Sequence, residues 1–260
     1  MFILRNILFP LQQEFNHRCK GDERGVWFVY TLLAVITHFT SSRSANLLRC
    51  LQVLFGLSLS QRRFYIFMAS SKLPWPRLWT TLWSLIPNPT TEGRLLLALD
   101  DTINPKTGKK IFGCASFFDH AAKTNQSKYP WSQNVVSIGL LKIVKGRWTC
   151  LPLAFRFYHM EKTIAAKKVR VEGKIPSFQT KFEQAIEMLL EISAAFPGTP
   201  LLTVTDSWFG NDGLLKPMRK TVGQRCHMLC RLRINTTLFA LPPEHQKHQL
   251  GRSRKYGVKM

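Results

Sequence analysis

Apolar positions in the first third of the chain recur at intervals of three and four. Trp27, Tyr30, Leu33, Ala34 and Thr37 fall on one helical face, and Leu47, Leu48, Leu51, Leu54 and Phe55 on another. Arg43, Arg49, Arg62 and Arg63 occupy the remaining faces. The pattern predicts a helical domain over residues 1–90. Towards its end, Pro74, Pro76, Pro87 and Pro89 stand among Trp75, Trp79 and Trp83. Prolines so spaced disfavour a continuous helix and predict a linker or irregular ledge. These tryptophans, with Trp131, are expected in the core.

From Arg94 the period changes. Leu95–Asp101 is an almost pure apolar run ending in two carboxylates, the pattern of a central strand buried on both faces. Residues 135–144 and 148–158 read as two more strands, joined at Lys145-Gly146 as an antiparallel hairpin. A basic stretch (Lys162, Lys167, Lys168, Arg170, Lys174) precedes a helix expected over Phe178–Phe196, with Ser177 as N-cap and Pro197-Gly198 as its stop. Residues 201–206 form a second buried strand that also ends in an acid. A helix over 211–221 and a strand over 225–234 follow. The long helix leaves room for the 201–206 strand to return parallel to the 95–101 strand. The expected class is therefore α/β with a mixed sheet over residues 91–260, preceded by the helical domain.

Hydrophobic residues make up 45% of the 260 positions and charged residues 20%, the balance of a chain that buries a core. The charge is the unusual feature: 37 Lys+Arg against 15 Asp+Glu gives a formal net charge of +22. A field of that size points to a polyanionic partner, nucleic acid first and an anionic membrane second. Residues 26–39 are the best membrane candidate, but they fall short of the roughly 20 residues a span requires. Six cysteines at 19, 50, 114, 150, 226 and 230 show no framework spacing. With no recognisable signal peptide, they predict buried free thiols in a reducing, cytoplasmic compartment. Cys226, His227 and Cys230 lack a second ligand cluster, and Cys226, Met228, Cys230 and Leu232 fit one face of a strand instead.

The scarce acids carry the chemistry. Asp101 and Asp206 each end an apolar strand, and the two strands are expected adjacent and parallel. Their carboxylates would then meet at one sheet edge, where open α/β sheets place ligands. Paired carboxylates in a basic field suit a hard divalent cation shared with a phosphate. Each Asp could instead cap its following turn. Alternation puts Asp100 on the face opposite Asp101, which makes it the second choice.

Residues 95–113 (LLLALDDTINPKTGKKIFG), the segment Phe117-Phe118-Asp119-His120 and the stretch Val204-Thr205-Asp206-Ser207-Trp208-Phe209 resemble the DDE transposases of bacterial insertion sequences. The likeness is greatest to the branch around the IS4 and IS701 groups. It covers most of the chain from Leu95 onward, and the helical front part is compatible with it. The resemblance implies an RNase H-like core in which two aspartates and a glutamate hold Mg²⁺ (or Mn²⁺). It implies transposon ends and target DNA as partners, in the cytoplasm beside the nucleoid, with a homodimer as a candidate assembly. The family aspartate directly before Thr maps to Asp101 and the second to Asp206, as catalytic residues and metal ligands. After Asp206 the only acids are Asp212, too close to be the third ligand, and Glu244, in a loop-like Pro-Pro-Glu-His segment. The departure predicts the front part of such a transposase, cut before its catalytic Glu.

From Lys216 to Met260 there are 11 Lys+Arg and one acid. Arg252, Arg254 and Lys255 suit contacts to DNA phosphates, with Tyr256 available for stacking. His120 is a weaker candidate for proton transfer or phosphate binding. Against the transposase reading stand a non-catalytic DNA-binding fragment, favoured by the missing Glu, and a basic membrane-surface protein, which the placement of the acids does not support.

Overall fold

The computed structural model describes residues 1–260 except 1–2, 17–20, 38–42, 71, 109–110, 172, 233–235, 244–251 and 253. Cys19, His38, Phe39 and Glu244 therefore lie outside the described residues. The apolar periodicity at the front of the chain folds as α1 (Phe9–Gln13), α2 (Gly21–Ile36), α3 (Ser44–Arg49) and α4 (Gln61–Met68). Two π-helical turns, Leu4–Leu8 and Cys50–Leu54, extend α1 and α3. Phe15, Leu51 and Phe64 are almost fully enclosed at the centre of these helices.

The proline- and tryptophan-rich stretch departs from the expectation of a linker. It forms α5 (Trp75–Ser84), with Pro74 at the N-cap and Pro76 in the first turn. Proline is tolerated at those positions because the first-turn N–H groups have no partner inside the helix anyway. Helix α5 also serves both hydrophobic clusters: Leu78 packs among the front helices, and Trp83 packs against the sheet. Of the tryptophans expected inside, Trp83 is buried and Trp79 packs at the margin of the sheet core, whereas Trp75 and Trp131 are exposed.

The second half builds a six-stranded mixed sheet from β1 (Leu95–Pro105), β2 (Ala115–Ser116), β3 (Trp131–Val144), β4 (Arg147–Tyr158), β5 (Leu201–Thr205) and β6 (Cys226–Cys230). The order is β2-β3-β1-β5-β6, with β4 also paired to β3. β1, β3 and β4 are antiparallel, while β5 and β6 run parallel to β1. This is the mixed α/β architecture of an RNase H-like fold, preceded by helices. The β3–β4 hairpin turns at Lys145 and Gly146, both at positive φ (50° and 74°), as a two-residue hairpin loop demands. A register shift after Ile138 leaves Leu153 as an extra residue in β4. Its carbonyl accepts the Trp83 indole N–H at 2.9 Å, which fixes α5 to the sheet.

The long helix is α7 (Lys181–Ala195), following the short α6 (Glu161–Ala165). Its N-cap is Thr180, three residues after the expected Ser177. Thr180 and Glu183 exchange the two hydrogen bonds of a capping box, a stronger start signal than an isolated serine. Ala185, Met188, Leu189 and Ile192 of α7 pack on Leu95, Leu97, Leu99, Ile138 and Leu140 of the sheet. Helix α8 (Asp212–Thr221) follows, capped by Asn211. Strand β6 ends at Cys230, short of the expected Ile234, and positions 233–235 lie outside the described residues. Among the described cysteines, Cys50, Cys114 and Cys226 are buried free thiols, Cys230 is half-buried and Cys150 is exposed.

Candidate active site

Strand β1 outlasts its parallel partner. Pairing with β5 stops at Leu99↔Thr205, whereas pairing with β3 continues to Pro105↔Ser132. Asp101 therefore lies inside β1 and not at its end, but both acids stand where β5 leaves the strand. The pairing ends one residue before Asp206, and one further step of the same register would put Asp100 opposite Asp206. Side chains level across a parallel pair share a face, and the two carboxylates are close enough to act on each other's charge. Asp101 points to the opposite face, that of Leu97 and Leu99.

The three acids are held differently. Asp101 Oδ2 accepts from Lys181 Nζ at 2.7 Å and from Asn134 Nδ2 at 3.1 Å. Lys181 is the first residue of α7, and its ammonium lies 5.2 Å from the Tyr158 ring centre and 5.1 Å from that of Trp208. A cation beside two aromatic faces and one carboxylate is strongly restrained. Asp206 Oδ1 accepts from the N–H groups of Trp208 and Phe209, at 3.0 and 3.1 Å, and so caps its own turn. Asp100 Oδ1 accepts from the Asp101 N–H at 2.8 Å. Its carboxyl is pushed above the usual range, first by burial and then by the charges of Asp101 and Asp206. The Asp101 N–H and the Lys181 charge act in the opposite direction.

All three acids line one cavity of about 1100 Å³, together with Asn134, Tyr158, Lys181 and Trp208. Asp119, His120 and Phe118, from the connection between β2 and β3, complete its far wall. The His120 and Phe118 rings lie 4.6 Å apart. The cavity thus gathers Asp101, Asp206, Asp100 and His120, all noted in the sequence. Arg252, Arg254 and Lys255 are exposed and do not line it. Asp212 is engaged by Lys216 on α8.

Lys181, Asn134 and Tyr158 were not legible as site residues. Asn134 alone carried a signal, because it stands in the buried parity of Val136, Ile138 and Leu140, where a polar side chain needs a reason.

Asp100 and Asp206 offer an oxygen-only donor set, which fits a hard divalent cation. No cluster of three or more His, Cys, Asp or Glu that could hold a metal ion occurs among the described residues.

No helix among the described residues is long and apolar enough to cross a membrane. No curated protein and no solved structure matches the chain. A family model described as DDE superfamily endonuclease matches residues 24–260, which takes in most of the front helices as well as the sheet. Such endonucleases act on DNA and generally use divalent metal ions. With that match over most of its length and an RNase H-like mixed sheet, the chain belongs to the DDE superfamily endonucleases, with a function of the transposase or nuclease type.

Proposed function

We propose that the protein is a DNA transposase of an insertion sequence, cleaving and joining phosphodiesters with Mg²⁺ at the edge of β1 and β5. The observation that carries the reading is that Asp100 and Asp206 line one cavity where β5 ends beside β1, close enough for their charges to interact. These two carboxylates would hold the cation. When bound, it polarises a phosphoryl oxygen and lowers the pKa of an attacking water. Asp101, the first ligand expected from the sequence, is already engaged by Lys181 and Asn134, so its role here is to position Lys181 beside the acids. A cavity of about 1100 Å³ has room for a segment of polymer. Arg252, Arg254 and Lys255 would contact phosphates outside the cavity.

Asp100→Asn and Asp206→Asn are expected to abolish Mg²⁺-dependent nicking of DNA. Affinity for DNA should stay equal or rise slightly, because a negative charge has been removed from a phosphate site. Nicking that survives Asp100→Asn but not Asp101→Asn would return the first-ligand role to Asp101. A second reading, a DNA binder without catalysis, is favoured because no group of three or more carboxylate, His or Cys side chains among the described residues is placed to hold a metal ion together. It predicts DNA binding with no nicking by the unaltered chain at any Mg²⁺ or Mn²⁺ concentration.

A further inference from the structure

The acid-lined cavity runs against the charge of the whole chain. In a molecule of net charge +22, its lining residues include the carboxylates of Asp100, Asp101, Asp119 and Asp206 but a single ammonium, that of Lys181. That lysine is held by several elements at once. It opens α7, where the Thr180–Glu183 cap fixes the backbone. Its Nζ donates to Asp101 Oδ2 at 2.7 Å, and Asn134 Nδ2 donates to the same oxygen at 3.1 Å. The Tyr158 ring of β4 and the Trp208 ring lie 5.2 and 5.1 Å from the ammonium. The Trp208 backbone N–H in turn donates to Asp206 Oδ1, so one residue touches both the ammonium and the second acid. The charge of Lys181 is also felt at Asp100.

Lysine is among the side chains whose rotamer freedom is costliest to remove. Here contacts from β1, β4 and the turn after β5 fix its charge beside the carboxylates at the β1–β5 edge. A cation fixed in that place acts on any other cation brought there. Two positive charges that draw on the same carboxylates repel each other, and a side chain only 17% exposed leaves little water to screen them.

We infer that Lys181 is the resident counter-cation of the acid site, competing with the divalent ion for its carboxylates and setting the concentration at which that ion binds. The inference rests on the metal-dependent reading above and adds to it the residue that tunes metal affinity. A lysine that merely pins α7 to β1 would leave metal affinity where it is.

The test measures Mn²⁺ binding by the full chain without DNA, from the electron paramagnetic resonance signal of the free ion, so that cleavage plays no part. Only binding that Asp206→Asn removes is counted as binding at the site. Lys181→Gln keeps a donor for Asp101 but removes the charge, and is expected to bind Mn²⁺ roughly tenfold more tightly than the parent chain. Lys181→Arg keeps the charge and should bind like the parent. Should Lys181→Gln fail to fold with Asp101 short of its cation, the same comparison is made in Asp101→Asn, whose amide needs no cation. There the double variant Asp101→Asn/Lys181→Gln should again bind more tightly than Asp101→Asn alone. Equal affinities with and without the lysine in either background would overturn the proposal, leaving the pair as a fastening of α7 to β1. A gain in Lys181→Gln that Lys181→Arg matches would overturn it as well, because the gain would not come from charge. A chain that binds no Mn²⁺ at the acids, whatever stands at position 181, would remove the metal-dependent reading itself and the inference with it.

Discussion

Asp100 and Asp101 are neighbours with unlike surroundings, because a strand turns successive side chains to opposite faces. Asp100 looks towards Asp206, and Asp101 gives its carboxylate to Lys181 and Asn134. The Lys181 and Asp101 side chains are only 17% and 21% exposed, so removing one partner strands a largely buried charge. Lys181→Met is therefore expected to lower stability by about 2–4 kcal/mol. Adding Asp101→Asn should restore part of that loss, which thermal melting of the two single variants and the double variant would read out. Strictly additive losses would show that the pair does not couple. Alternation in Leu95–Asp101 already put the two acids on opposite faces, but which face meets Asp206 depends on the β1–β5 register, a property of two distant segments. Lys181 is similarly hidden, since nothing in its own neighbourhood says that α7 starts against β1.

At the level of elements, most of the pattern could be read, and the misses have local causes. The apolar runs gave the sheet strands, and Lys145-Gly146 gave the hairpin, because burial and turn chemistry act over a few residues. Strand β1 extends past the expected end because β3 continues to supply hydrogen bonds to polar positions such as Thr102 and Asn104. In α5, the prolines occupy the helix start, where they are permitted, so proline count misled where proline position would not have. Helix α7 starts at a reciprocal Thr180–Glu183 cap, and that box also sets Lys181 at the site. Thr180→Ala should cost about 1 kcal/mol, seen as a lower urea midpoint with an unchanged slope. A midpoint identical to that of the parent chain would show that packing alone holds the start of α7.

Taken whole, the molecule is a strongly basic body around a small acidic site. A net charge of +22 predicts DNA binding that weakens linearly in log–log form as salt rises. If Arg252, Arg254 and Lys255 each neutralise a phosphate, replacing all three with Ala should reduce the magnitude of that slope by about 2–3. An unchanged slope would place these exposed residues off the DNA path. Helix α5 lends Leu78 to one hydrophobic cluster and Trp83 to the other, so the front helices and the sheet share a structural member. The parallel pairing of β1 with β5 also bears on when the site comes into being. Asp100 and Asp206 are separated in sequence by the whole β3–β4 hairpin and α7, and nothing local draws them together. Closing so long a loop costs entropy before any strand contact offsets it, so this pairing belongs among the slow, late events of folding. During synthesis the hairpin can form while β1 still lacks β5. The nascent chain therefore carries only half of its acid pair, and the proposed DNA-cutting centre is assembled only after nearly the whole sheet has been made.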